Sequence, residues 1–150
     1  MKYLKIYEEF GPNSLKEDIK DIFIELTDNY LDVEVDNYGK IVISRPNELA
    51  TNLTDYDFNI DSDIIDSILR FIDYLRTNKL YLNDIIIKKL RLARVSGLRR
   101  WVEDDLNVTN ITEQGLFISD FNYKTDKYES KLFTDQAHKI VIKYSDKNLW

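Results

Sequence analysis

Apolar residues recur every three or four positions between Asp61 and Leu75, which is the spacing of one face of an α-helix. They fall within about 160° of the helical wheel, while Asp66, Ser67 and Asp73 fall on the opposite side. The stripe consists of Ile64, Ile65, Ile68, Leu69, Phe71, Ile72 and Leu75. This pattern predicts an amphipathic helix that packs on the rest of the fold.

A second helix is predicted from Ser14 to about residue 29. Ser14 and Glu17 have the spacing of a capping box, in which each side chain binds an exposed backbone amide at the start of the helix. The apolar stripe consists of Leu15, Ile19, Ile22, Phe23, Leu26 and Tyr30. The two helices are therefore expected to cover one face of a sheet.

Alternation of apolar and polar residues predicts the strands of that sheet. Residues 31–45 alternate on both sides of Gly39, which predicts a β-hairpin that turns near this glycine. Residues 115–123 and 139–144 also alternate and are predicted to be strands. The polar segment 124–138 is expected to join them.

Several segments are less regular. Residues 1–10 fit a strand or a short helix, and the strand is favoured. Residues 80–93 also fit either structure, but the β-branched triplet at 85–87 favours a strand. Residues 98–106 are predicted to form a short helix, because their apolar residues would share one face. Residues 46–60 are polar, lack a clear period and are expected to form a loop.

Through residue 93 the predicted order is strand, helix, strand, strand, helix, strand. This order matches a split βαβ unit of the ferredoxin-like type, with both helices on one face of an antiparallel sheet. Residues 94–150 are expected to extend the sheet with C-terminal strands. We therefore predict one α+β domain spanning residues 1–150, with a βαββαβ-type core in residues 1–93. Many unrelated functions use this fold, so it does not indicate a function.

The composition excludes several kinds of site. The chain has no cysteine, so it forms no disulfide, thiol nucleophile or zinc–thiolate site. It contains no run of about 18 apolar residues, so no membrane-spanning helix is expected. The first residues lack the apolar region of a secretory signal peptide, which makes a cytoplasmic setting the expectation.

The net charge of −6 is unevenly distributed. Residues 1–69 carry 6 basic and 16 acidic side chains, a balance of −10. Residues 70–100 carry 9 basic and 2 acidic side chains, a balance of +7, and residues 101–150 carry 6 and 9, a balance of −3. Such segregation bears on partners and solubility rather than on the fold.

No catalytic or cofactor-binding motif is present. The chain lacks a P-loop, the glycine motif of dinucleotide-binding folds and the H-E-x-x-H zinc motif. His138 is the only histidine, so it cannot form a histidine metal site. It is expected at the surface or at the start of a strand rather than as a general base. We therefore predict that the protein is not an enzyme and has no cofactor and no metal.

One acidic segment resembles a calcium-binding loop in its spacing. The side chains at positions 1, 3, 5, 7, 9 and 12 of an EF-hand-like loop would be Asp55, Asp57, Asn59, Asp61, Asp63 and Asp66. However, Ile60 stands where the loop requires glycine, and Asp66 replaces the usual glutamate. Capping of the following helix by Asp61 or Ser62 explains the acidic residues better.

A basic segment with an aromatic neighbour is the best candidate for binding. Trp101 follows six cations within 13 residues: Lys88, Lys89, Arg91, Arg94, Arg99 and Arg100. Clustered cations bind phosphates, and an aromatic ring can stack on a base. In a regular strand the cations alternate between two faces, so only a twisted, bent or edge-lying segment gathers them. The alternative is a solvated edge strand whose charges oppose aggregation.

Residues 1–10, MKYLKIYEEF, resemble the short N-terminal leader of small proteins of T-even-like tailed phages. Those leaders begin with Met-Lys, contain an aromatic residue and include a hydrophobic-x-Glu signal for capsid targeting and prohead-protease cleavage. Ile6, Tyr7 and Glu8 fit this signal, while Glu9 follows where that protease favours a small residue. The resemblance implies a phage accessory protein in the host cytoplasm or the virion.

These observations predict a non-enzymatic viral accessory protein that acts through contact with a protein partner. The alternative is a nucleic-acid-binding module that uses residues 88–100. Contact with a protein requires an apolar or aromatic patch, whereas nucleic acid requires gathered cations. The geometry of the surface therefore separates the two functions.

Overall fold

A computed structural model describes residues 12–46 and 57–146 of the chain, with side chains from residue 15 onwards. The helices are α1 (Pro12–Ile22), α2 (Ile24–Asp28) and α3 (Ser62–Thr77). The strands before α3 are β1 (Asp32–Val35), β2 (Lys40–Ser44) and β3 (Phe58–Asn59). The strands after it are β4 (Tyr81–Val95), β5 (Leu98–Thr112), β6 (Gly115–Asn122), β7 (Lys127–Leu132), β8 (Gln136–Ala137) and β9 (Lys139–Ser145).

Seven strands form one sheet in the order β1-β2-β9-β4-β5-β6-β7, and β3 pairs with β8 separately. Every strand pair in the described ranges is antiparallel. β9 is the third strand of this sheet, where Ile142 pairs with Ile41 of β2 on one side and with Ile85 of β4 on the other. The predicted α+β fold with an antiparallel sheet is confirmed.

The ferredoxin-like arrangement is not confirmed. In a split βαβ unit of that type, the first strand lies between the hairpin and the strand that follows the second helix. In the described sheet this central position, between β2 and β4, is occupied by β9. Residues 1–10, which were predicted to supply the strand, lie outside the described residues.

The helices cover one face of the sheet, which we call the helix face. Ile87 of β4 and Ile140 of β9 pair with each other and are fully buried on this face. Phe71 of α3 lies against Tyr144 of β9 and against Phe23, with ring centroids 5.5 Å and 5.6 Å apart. Because side chains alternate along a strand, the intervening residues point to the opposite side, which we call the far face.

The predicted apolar stripe of α3 is confirmed at its centre and differs at its margins. Five of its residues are buried: Ile64, Ile65, Ile68, Phe71 and Leu75. Leu69 and Ile72 are half-buried, whereas Ser67, predicted on the polar side, is fully buried. The helix is therefore rotated slightly towards Ser67, whose small side chain permits close packing.

The first predicted helix is divided in two. It begins at Pro12, two residues before Ser14, and is interrupted at Phe23, which has φ −97° and ψ 12°. The side chain of Ser14 lies outside the described residues. The predicted stripe is confirmed at Ile19, Phe23 and Leu26, which are buried, but not at Tyr30, which is 73% exposed and lies beyond the end of α2.

The β1–β2 hairpin forms as predicted, and its turn requires Gly39. This residue has φ +90°, and a Cβ atom there would lie 2.2 Å from the backbone oxygen of Tyr144. The Asp36 carboxylate accepts hydrogen bonds from the amides of Tyr38 and Lys40, which closes the turn. The glycine therefore allows the hairpin to pack directly against β9.

The later strands are partly as predicted. Residues 80–93 form a strand, and the strands expected at 115–123 and 139–144 are also present. The short helix predicted for residues 98–106 is wrong, because this segment is part of β5. The apolar residues of this segment also fit a strand, because both faces of β5 are partly exposed and each can carry apolar side chains.

Two polar segments contain strands that were predicted as loops. The segment 124–138 includes β7 and β8, and the described end of the 46–60 segment includes β3. β7 is an edge strand with the sequence KYESKL, and five of its six residues are exposed. An edge strand that buries neither face carries no apolar alternation.

Candidate interaction surface

The candidate residues lie on a two-stranded projection of the sheet. β4 pairs with β9 only as far as Lys88 and Lys139, and β5 pairs with β6 only from Val108 onwards. Between these limits, the described strands β4 and β5 pair only with each other. We call residues 89–104 the arm. At about 3.4 Å per residue, each of its strands is about 25 Å long.

The turn at the tip of the arm is set by its two central residues. Ser96 and Gly97 have φ values of +54° and +80°, and Val95 pairs with Leu98 across the turn. A two-residue hairpin turn with positive φ at both positions matches the right-handed twist of the flanking strands. This turn directs the chain back along β4 and so makes residues 98–106 a strand rather than a helix.

Side chains of the arm alternate between the two faces of the sheet. From base to tip, the pairs on the far face are Lys88–Asp105, Leu90–Glu103, Leu92–Trp101 and Arg94–Arg99. Those on the helix face are Lys89–Asp104, Arg91–Val102, Ala93–Arg100 and Val95–Leu98. The structure therefore divides the predicted basic patch: Lys88, Arg94, Arg99 and Trp101 share the far face, and Lys89, Arg91 and Arg100 share the helix face.

The cations at the base of the arm are ion-paired. On the far face, the Nζ of Lys88 lies 2.9 Å from an Asp105 oxygen and 3.3 Å from a Glu103 oxygen. The hydrogen bond to Asp105 raises the pKa of Lys88 above its ordinary value, and Glu103 adds to the effect. Lys88 therefore lies between two carboxylates and is not available to bind phosphate.

The base of the helix face is paired in the same way. Lys89 forms an ion pair with Asp135, and the Arg91 Nε lies 2.5 Å from an Asp104 oxygen. The hydrogen bond from Lys89 holds the pKa of Asp135 below its ordinary value, helped by the backbone amide of Gln136. The Lys89–Asp135 pair connects the base of the arm to the rest of the fold, whereas the Arg91–Asp104 pair links the two strands of the arm.

The tip of the arm is different. Arg94 and Arg99 lie directly opposite each other on the far face, and both are exposed. Like charges in directly opposed positions destabilise a strand pair. Within the part of the chain that the structure describes, neither these two arginines nor Arg100 forms an ion pair. The tip thus presents positive charge without local compensation.

Four large apolar side chains accompany these charges and are also exposed. Leu92 is 49% exposed, Val95 42%, Leu98 58% and Trp101 42%. Of these, only Trp101 was anticipated from the sequence. The Ser-Gly pair between Val95 and Leu98 is a hairpin-turn signal that would have placed the other three on one ribbon.

The acidic segment before α3 takes structural roles. The Asp61 carboxylate accepts a hydrogen bond from the Ile64 amide at 3.1 Å, which confirms the predicted helix cap. Asp63 accepts a hydrogen bond from Asn29. Asp55 lies outside the described residues. Within the described ranges, no three His, Asp or Glu side chains are grouped so that they could hold a metal ion.

His138 lies at the start of β9, as predicted, but its side chain is only 13% exposed. Its Nδ1 is 3.6 Å from an oxygen of Asp57, and its backbone amide donates to the carbonyl of Lys88. The histidine therefore packs where the β3–β8 ladder meets the base of the arm. It was not predicted to be buried, because its neighbours in the sequence are polar.

No protein-family model, curated protein or solved structure matches the chain. None of the helices in residues 12–46 and 57–146 is long and apolar enough to cross a membrane.

Proposed function

We propose that this is a non-enzymatic binding protein whose arm contacts a protein partner. The observation that carries the proposal is the exposure of Leu92, Val95, Leu98 and Trp101 on one narrow ribbon. Among the described residues, ten large hydrophobic side chains are exposed, and five of the six outside the arm are tyrosines. An exposed tyrosine keeps its hydroxyl group hydrated, unlike an exposed aliphatic or indole side chain. Exposed aliphatic and indole surface is therefore concentrated in the arm.

The chemistry of the arm suits a protein surface. Tryptophan and arginine are the residues most enriched among those that dominate binding energy at protein interfaces. Covering apolar surface contributes about 25 cal/mol for each Å² removed from water. No strand in residues 12–46 and 57–146 pairs with the arm from outside, because it projects beyond β9 and β6. A partner that covers Leu92 and Trp101 would gain this energy.

The test is a capture experiment with a matched control. We would immobilise the wild-type protein, a Leu92→Ser/Trp101→Ser variant and a Tyr38→Ser variant, and expose each to lysate of cells that make the protein. Tyr38 is 93% exposed and lies in the β1–β2 turn, so it controls for loss of an exposed aromatic side chain. We expect proteins that bind the wild type and Tyr38→Ser to be lost with the double variant.

Near-ultraviolet circular dichroism would check that all three proteins are folded. The proposal would be contradicted if the double variant captured the same proteins as the wild type. It would also be contradicted if Tyr38→Ser lost the same proteins as the double variant.

Nucleic-acid binding is the second candidate, and the opposed pair Arg94–Arg99 favours it. The major groove of DNA admits a two-stranded ribbon, and arginines bind phosphates and guanine edges. If Arg94, Arg99 and Arg100 engage three phosphates, the log–log salt slope should be about −2.7, a loss of about 40-fold between 50 and 200 mM salt. The net charge of −6 opposes such binding at long range.

We expect dissociation constants no tighter than about 10 µM for generic DNA or RNA at 150 mM salt, weaker than specific recognition. Sub-micromolar binding with a steep salt dependence, abolished by Arg94→Glu/Arg99→Glu, would replace the first candidate with the second.

The origin and setting of the protein are proposals of the same kind. The resemblance of residues 1–10 to a phage leader supports a viral accessory protein in the host cytoplasm or the virion. A relationship to the ferredoxin-like fold also remains a proposal, supported by the sequence order of helices and strands. Mass spectrometry of the protein from infected cells would show whether cleavage occurs after Glu8.

A further inference from the structure

The far face of β5 carries an ordered row of exposed side chains. At alternate positions from tip to base, the row reads Arg99, Trp101, Glu103 and Asp105. It therefore runs from basic through apolar to acidic along one strand. Glu103 and Asp105 share one cation, Lys88, so the acidic end keeps a formal charge of −1. Arg99 and Glu103 lie four residues apart, about 13 to 14 Å, on opposite sides of Trp101. A row of this kind is complementary to itself when reversed.

We propose that the arm binds the arm of a second copy of this chain, far face to far face and antiparallel. The two-fold axis of this dimer passes by Trp101. It lies in the plane of contact and is perpendicular to the strands, so rotation about it reverses the row. It brings Arg99 of each copy to Glu103 of the other and places the two Trp101 side chains together. Both charge contacts follow from one operation, as an isologous interface requires.

The neighbouring strand supports the same register. Leu92 lies directly beside Trp101 on β4, so the axis also brings the two Leu92 side chains together. Arg94 is carried over Leu90, which lies one strand spacing, about 4.8 Å, to the side of Glu103 of the same copy. The carboxylate would therefore offset the repulsion between Arg94 and Arg99 within one arm. The centre of the contact is apolar and its rim is charged.

Other arrangements of two arms place like charges together. If the arms were parallel, the symmetry axis would run along the strands and bring Arg94 of one copy onto Arg99 of the other. On the helix face, an antiparallel contact would have its axis at the Arg91–Val102 pair. This axis brings Arg100 of one copy to Asp104 of the other, but it also places the two Arg91 side chains against each other. The far-face, antiparallel register avoids both conflicts. The helices lie on the opposite face and do not obstruct it.

The size of the contact predicts a weak dimer. The overlapping strip is two strands wide and about seven residues long, or about 10 Å by 25 Å, before side chains are counted. This is below the roughly 800 Å² per partner of a standard stable interface. We therefore expect a dissociation constant of about 10 to 100 µM, with the protein monomeric at low concentration and dimeric when concentrated.

This inference rests on the proposed function, because it takes the arm to be a protein-contact element. The test is sedimentation velocity of the full chain across this concentration range, using charge reversals. Arg99→Glu and Glu103→Arg should each weaken association by at least about 10-fold, since both charge contacts become repulsive. Arg100→Glu is the matched control, because it changes the same charge on the same strand but lies on the helix face.

Mixing separates lost complementarity from lost folding. An equimolar mixture of Arg99→Glu and Glu103→Arg should form a heterodimer as tightly as the wild type forms its homodimer, and so should a chain that carries both substitutions. Arg99→Glu also places a carboxylate opposite Arg94, which should stabilise the isolated arm. A weakened Arg99→Glu dimer therefore cannot be attributed to an unfolded arm.

Three results would overturn the inference: a wild-type monomer at all concentrations, an equal effect of Arg100→Glu, or no recovery on mixing. If the wild type stays monomeric but the capture experiment still finds proteins that depend on Leu92 and Trp101, the proposed function stands and only the second copy is wrong as the partner. If neither is seen, both fail.

Discussion

β4 passes from the core of the fold to its most exposed part within one strand. Ile85 and Ile87 are 5% and 0% exposed and lie under the helices, whereas Leu92 and Val95 are 49% and 42% exposed on the arm. The hydrogen-bonded ladder is continuous between them. The side chains differ because pairing with β9 ends at Lys88, not because the backbone changes. Apolar residues thus stabilise the fold at one end of the strand and form a contact surface at the other.

The largest difference between these regions should appear when charge is placed in the core. Ile68 is fully buried in the centre of α3, so Ile68→Asp would bury a carboxylate without a partner and should abolish folding. Asp73→Ala on the exposed side of the same helix should change the free energy of unfolding by about 0.5 kcal/mol or less. If thermal melts showed equal destabilisation by the two substitutions, the buried side of α3 would be assigned wrongly.

The two hairpin glycines offer a second contrast. Gly39→Ala should cost about 3 kcal/mol or more, because the new Cβ would overlap the backbone of Tyr144 in addition to the strain of positive φ. Gly97→Ala meets nothing within 4 Å, so only the strain at φ +80° remains, about 1 kcal/mol. Urea unfolding of both variants measures the difference. Equal costs would show that the β1–β2 turn does not pack on β9.

A third contrast lies along β4 itself. Ile87→Ala should destabilise the protein by about 2 to 5 kcal/mol, because it leaves a cavity in the core. Leu92→Ala should cost less than about 1 kcal/mol in dilute solution, since half of its side chain is already exposed. Chemical unfolding at low protein concentration tests this. A cost for Leu92→Ala near that of Ile87→Ala would contradict the separation of arm and core.

The smallest effect concerns the Lys89–Asp135 pair at the base of the arm. The folded-state pKa of Asp135 is lowered. Its interactions therefore stabilise the folded protein above the unfolded-state pKa of 3.8, and this stabilisation is lost as the pH falls through the lower folded-state pKa. The melting temperature of Asp135→Asn should therefore lie slightly below that of the wild type from pH 5 to 7. The two should converge once the pH falls below the folded-state pKa of Asp135. In a Lys89→Met background, the difference at neutral pH should become smaller, since only the hydrogen bond from the Gln136 amide remains.

Much of the core could be predicted from the sequence, because buried faces impose a period on it. Ile68 and Phe71 repeat with the helix, while Ile41 and Ile142 alternate with the strands, and all four are buried as their patterns indicate. The order of the strands could not be predicted in this way. Ile142 would show the same alternation next to any neighbour, so the pattern cannot place β9 between β2 and β4.

The arm was predicted least well, since neither of its faces is buried. Without a core side, Arg99 to Glu103 show no simple alternation of apolar and polar residues, and the spacing of Leu98, Trp101 and Val102 fits a helix equally well. The basic segment was found because charge can be counted directly. Its division between two faces depends on the register with β4, which becomes apparent only after the turn at Gly97 is recognised.

The central position of β9 has a consequence for synthesis of the chain. Ile41 of β2 finds its partner Ile142 only after roughly 100 further residues have been made, and at about 5 to 20 residues per second this takes about 5 to 20 s. Until β9 is made, the edge of β2 that it will join is open, and so is that of β4 once β4 has been made. Their isoleucines are exposed to other nascent chains. The described sheet therefore cannot be completed before β9 has been made, and a chain halted before residue 139 would be a substrate for chaperones or proteases.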